Sequence, residues 1–284
     1  MELFALLCAA LLAILTACLV LWALARGGRR SLRAKLLALP APPEWDPVLL
    51  RNVAVYRRLP GPLKGRLAGL VHVFLHEKRF EGCGGLEMTD EIRVTVAAQA
   101  CILLLGGAGR FFPRMQSIFV YPSTFLPVQR GRHGILTDDP RPRRGESWYR
   151  GPVVLAWDAA AHRLSDPRPG DNVVMHEFAH QLDSEDREVD GTPPLPDRSA
   201  YAEWARVFHA EFEALRRRAQ RGRKDVIDEY GATNPAEFFA VATAAFFERS
   251  RAFRGRHPDL YRQLQGYFNL DPAEWPGPAA AGER

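Results

Sequence analysis

Asn172-Val-Val-Met-His176-Glu177-Phe-Ala-His180-Gln-Leu-Asp183 is the stretch from which this chain is best read. Two histidines four residues apart lie on one helix face, one turn from each other. Their imidazole nitrogens can reach one metal ion at about 2.0–2.1 Å. Glu177 follows the first histidine, where its carboxylate can reach a metal-held water. The bare spacing also describes a helix with two surface histidines and a solvated glutamate. The uncharged flanks Val173, Val174, Met175, Phe178, Ala179 and Leu182 argue instead for a helix set into a cleft. The pattern points to a zinc peptidase.

A catalytic zinc needs three protein ligands and one open position. One arrangement turns the helix at a glycine three residues past the second histidine and takes the third ligand three residues later. Asp183 and Asp186 occupy those positions, and Asp183 makes such a turn less readily than glycine. The other arrangement takes a glutamate from a later helix. In Asp228-Glu229-Tyr230-Gly231-Ala-Thr-Asn234-Pro235-Ala-Glu237, Asn234 is a natural N-cap and Pro235 a natural first helical residue. Glu237 then stands third, which also suits a capping box. Spacing leaves ligand and cap equally open.

The remainder of the 284 residues is globular in composition, 47% hydrophobic and 25% charged. The net charge of +5 comes largely from the arginine-rich stretches 26–33, 141–150 and 216–224. No zinc-finger spacing or stacking-aromatic pattern accompanies it, so direct nucleic-acid binding is not expected. The four cysteines contain no Cys-x-x-Cys pair, so no thiolate metal site is suggested, and they are too few for a disulfide scaffold.

Residues 3–25, LFALLCAALLAILTACLVLWALA, carry no charge. A helix of that length spans roughly 30 Å of hydrocarbon. The basic residues Arg26, Arg29, Arg30, Arg33 and Lys35 follow it, so a single-pass anchor in the inner membrane with a cytoplasmic body is expected. Leu15-Thr16-Ala17-Cys18 has the outline of a lipoprotein signal, but an apolar LVLWALA follows the cysteine. Residues 26–44 read as a basic, proline-rich linker, 45–275 as the catalytic domain and 276–284 as a flexible tail. Helices are expected over 64–81, 91–106, 172–183, 200–219 and 234–250. Short strands are expected at 117–121 and 152–157, with a long basic loop over 129–150.

The blocks GLEMTDEIRVTVAAQACILLL, GPVVLAWDA, NVVMHEFAHQLD and YGATNPAEFFAVAT resemble the Mlc titration factor A family of zinc-dependent peptidases over about Trp45 to Trp275. Its site layout is similar to that of the anthrax lethal factor protease domain. The resemblance implies an α+β, mainly helical zincin-like (gluzincin) domain with a small sheet, here preceded by the transmembrane helix. It implies one Zn²⁺ held by His176, His180 and Glu237, with Glu177 as catalytic base and Tyr230 stabilising the transition state. It implies a peptide or protein substrate and a repressor of the Mlc type as partner. A non-catalytic protein that sequesters such a regulator is the alternative it leaves. Ala244 departs from the family pattern, where a glutamate is expected, but that position is not among the implied ligands. The 151–157 stretch is a candidate for pairing with an extended substrate.

Overall fold

The computed structural model describes residues 30–124, 145–147, 151–161 and 172–276, with positions 4, 14–16, 18, 19, 27 and 28. The architecture is mainly helical with one small sheet, an α+β arrangement. Among the described residues no helix is long and apolar enough to cross a membrane. Most of the expected anchor at 3–25, most of the 129–150 loop and the 277–284 tail lie outside those residues. Residues 30–37 are helical, and Arg33 clasps Glu77 through two hydrogen bonds of 2.5 and 2.7 Å.

Helix α1 (Trp45–Asn52) and α2 (Gly61–Glu77) lead into strand β1 (Arg79–Gly82). The apolar spacing predicts helix through 81, yet α2 stops at Glu77. Lys78 is extended at φ −109° and ψ 143°, and its buried ammonium donates to the Phe112 and Met115 carbonyls, each at 2.7 Å. That pair of buried charge-assisted bonds outweighs local helix propensity. Helix α3 (Asp90–Ile102) starts at Thr89, whose hydroxyl oxygen accepts the Ile92 N–H.

Strands β2 (Ser117–Tyr121), β3 (Gly145–Ser147) and β4 (Val153–Ala156) complete the sheet in the order β1-β2-β4-β3. β1, β2 and β4 run parallel, and β3 pairs antiparallel with β4. All four residues of β4 are buried, as expected for a strand with neighbours on both edges and cover on both faces. A substrate strand therefore cannot pair with 151–157, because β2 and β3 already use its main-chain groups. Among the described residues the edge on this side belongs to β3.

Helix α4 (Val173–Asp183) carries the paired histidines, and α5 (Arg198–Gln220), α6 (Pro235–Glu248), α7 (Ser250–Arg256) and α8 (Pro258–Phe268) follow. α6 is buried almost all round, from Ala236 to Phe247, so its sequence shows no polar stripe. The back of α4 enters the core through Phe178, packed on Phe112 and Phe74 with ring centroids 4.8 and 5.6 Å away. Asn172 starts α4, its Oδ1 accepting the Met175 N–H at 2.9 Å. Its Nδ2 donates to Gln99 on α3 and to Glu248 at the far end of α6. One side chain thus caps α4 and ties it to two neighbours.

The segment before α6 is anchored by a buried ionic cluster. His257 sets Nδ1 against Glu211 at 2.9 Å and Nε2 against Asp225 at 2.8 Å. Arg218 pairs with the same Asp225, and Arg256 lies 3.5 Å from it. Burial opposes a charge on His257, but the two carboxylates overcome it and raise its pKa above 6.5. Burial likewise opposes the charge on Asp225, yet His257 and Arg218 leave its pKa below 3.8. A histidine with a raised folded pKa adds stability that is complete below its unfolded value and lost as pH climbs through the folded one. The melting temperature should therefore fall as pH rises above about 6.5, and His257→Gln should flatten that fall. Melting curves of both proteins across this range check it; parallel profiles would refute it.

Candidate metal centre

α4 presents His176 and His180 on its half-buried face, and α6 brings Glu237 against them. The local reasons are strong caps. Asn234 Oδ1 accepts the Glu237 N–H at 2.9 Å, and Pro235 opens the helix, so Glu237 sits in the first turn. The capping-box spacing and the position near the histidines coexist. His176 Nε2 and His180 Nε2 lie 3.2 Å apart. Glu237 Oε2 is 2.9 Å from the first and 3.5 Å from the second. Despite these short distances, Glu237 Oε2 is buried and lacks hydrogen-bond geometry to either imidazole.

Three lone pairs converging on one point repel unless a proton or a cation lies among them. A tetrahedral ion with ligands at about 2.0–2.1 Å requires ligand atoms about 3.3 Å apart. The observed triangle of 2.9, 3.2 and 3.5 Å brackets that value. The residues therefore fit a divalent metal. Among the described residues these three form the group able to hold one. Burial would push the Glu237 carboxyl up, but the two imidazoles hold it well below the usual carboxylate range. It stays anionic, as a ligand must.

Glu177 follows His176 on α4 and is 6% exposed. Tyr230 stands on a single 3₁₀ turn (Glu229–Ala232), 53% exposed, its ring centroid 6.0 Å from that of His176. Its own N–H is fixed by Asp228 Oδ1 at 2.8 Å. The adjacent alternative for a third ligand is not assembled. α4 runs on through Asp183 instead of turning there, and the Asp183 carboxylate accepts the Gly191 N–H. Asp186 accepts the Glu188 N–H on the exposed side. Ala244 lies buried in α6, outside the metal group.

Gly145 on β3 gave no sequence signal, because it lies in a basic loop without periodicity. A Cβ there would fall 2.6 Å from Glu177 Oε1 and 2.5 Å from Val173 Cγ2. Glycine thus lets the edge strand rest directly on Glu177. Gly145→Ala should force β3 and Glu177 apart and lower the melting temperature by several degrees, the scale of an overpacking change of about 1–3 kcal/mol. Melting curves of the two proteins test this; an unchanged melting temperature would contradict it.

The family described as glucose-regulated metallo-peptidase M90 matches residues 27–269. The chain is 39% identical to an uncharacterized protein of Synechocystis sp. over 241 residues, covering 84% of this chain and 88% of that one. It is 30% identical to Mlc titration factor A of Pectobacterium atrosepticum over 212 residues, covering 73% and 79%. Against Mlc titration factor A of Klebsiella pneumoniae the identity is 28% over 235 residues, covering 81% and 87%. The match includes both helices of the convergent His-His-Glu group, and this chain belongs to the glucose-regulated metallo-peptidase M90 family.

Proposed function

We propose that this protein is a zinc-dependent peptidase with His176, His180 and Glu237 as ligands, Glu177 as general base and Tyr230 as oxyanion donor. The observation that carries the proposal is the convergence of three lone-pair donors from two helices with a buried glutamate alongside. Two imidazoles and one carboxylate with an open fourth position suit zinc in a hydrolase. Zinc held there supplies a Lewis acid and lowers the pKa of water toward about 7.

Glu177 would take the proton of the water attacking the scissile carbonyl and deliver it to the leaving amine. The Tyr230 hydroxyl, on a ring 6.0 Å from that of His176, would donate to the new oxyanion. The β3 edge beside Glu177 offers main-chain groups to an extended peptide, which orients the scissile bond over the site. The test is cleavage of a peptide library by the full chain as purified, after chelation, and after zinc is restored. Cleavage that stops and returns supports the proposal; no cleavage in any state sinks it.

A second reading rests on the relatives named Mlc titration factor A. This chain would bind a repressor of the Mlc type, with or without cleaving peptides. Repressor binding by the Glu177→Gln protein separates the two, since sequestration needs no proton transfer. The apolar run 3–25 and the arginines after it support a single-pass anchor in the inner membrane with the domain in the cytoplasm. A C-terminal reporter fusion active only in the periplasm would overturn that topology.

A further inference from the structure

The last residue of α4 makes a connection that the proposed chemistry does not use. Asp183 is wholly buried, and both of its carboxylate oxygens accept the Gly191 N–H, at 2.9 and 3.1 Å. Gly191 adopts the left-handed conformation at φ +84°. Its carbonyl accepts the Trp204 indole N–H of α5 at 3.1 Å, so the peptide is held from both sides. A Cβ on Gly191 would fall 2.4 Å from the Pro235 carbonyl oxygen and 3.3 Å from the Ala236 nitrogen. The Gly191 main chain therefore lies directly on the first turn of α6, two residues ahead of Glu237. A side chain at 191 would part the helices at the point where they must meet.

We infer that Asp183 is a positioning residue for the metal centre: through Gly191 it sets the first turn of α6, and so Glu237, against the two histidines. The inference rests on the ligand set His176, His180 and Glu237. Buried contacts between main chain and main chain leave no rotamer freedom, so this path fixes Glu237 more tightly than packed side chains would. The Asp183 carboxylate orders the 184–191 segment by taking a main-chain donor that would otherwise be buried without a partner.

The test is zinc affinity of the full chain, measured by competition with a chromogenic chelator. The proteins compared are wild type, Asp183→Ala, Asp183→Asn, Glu237→Ala and the two doubles that combine each Asp183 change with Glu237→Ala. Asp183→Ala should weaken zinc binding about 10–100-fold, the range for groups that orient metal ligands. Asp183→Asn keeps one acceptor oxygen and should lose less; it also serves if the alanine variant does not fold. In the Glu237→Ala background either change should cost no more than about threefold, because the ligand it positions is gone. An equal loss in both backgrounds would overturn the inference, since general destabilisation or a direct charge effect would act that way. Wild-type affinity in Asp183→Ala would overturn it too. If Glu237→Ala alone bound zinc like wild type, the ligand set itself would fall, and the inference with it.

Discussion

Glu177→Gln should lower kcat/KM for peptide cleavage about 10²–10⁴-fold, the span that a positioned general base contributes. The substitution is nearly isosteric, which matters here because the Gly145 backbone rests on this side chain with no room to spare. Glutamine keeps the shape and the packing but cannot take a proton. Glu177 is not one of the three converging groups, so zinc content should stay at the wild-type level. The result to look for is loss of cleavage with metal retained, by kinetics and elemental analysis on the same preparation. Unchanged cleavage would remove Glu177 from the chemistry. Loss of both together would show a structural effect instead.

Glu237→Ala should weaken zinc binding more than about 100-fold, beyond what loss of a merely orienting group costs. It removes the anion from the triangle and leaves two imidazole nitrogens facing each other at 3.2 Å. It also unlinks α6 from α4 at the metal. An ion that binds only the folded chain stabilises it by mass action. Chelation should therefore lower the wild-type melting temperature, while the Glu237→Ala protein should hardly respond. An equal response of both proteins would contradict Glu237 as a ligand.

The parts of the site that were legible in the sequence are those set by local chemistry. The four-residue histidine spacing marks the helix of α4, and the cap at Asn234 with Pro235 specifies where α6 begins. The mainly helical character with a small sheet, and the strands near 117–121 and 153–156, follow from periodicity and β-branched runs. The rest depends on partners far along the chain. β1 ends an apparent helix because Lys78 reaches carbonyls more than thirty residues away. β3 is three residues long, and pairing with β4 rather than propensity makes it a strand. For that reason the free edge reads wrongly from sequence: 151–157 looks like the accessible strand, but its strand residues 153–156 lie between β2 and β3. Nothing local marks Gly145, and the position of Asp183 three residues past His180 suggests a backbone bond without identifying Gly191 as its partner, since the meaning of both is what the backbone approaches.

The central claim is that two helices, α4 and α6, build one zinc site. Anomalous diffraction at the zinc absorption edge, from crystals of the zinc-loaded chain, tests it most directly. The expected result is one strong peak at about 2.0–2.1 Å from His176 Nε2, His180 Nε2 and a Glu237 oxygen. A peak ligated by Asp183 or Asp186 in place of Glu237, or no peak between the two histidines, would contradict it.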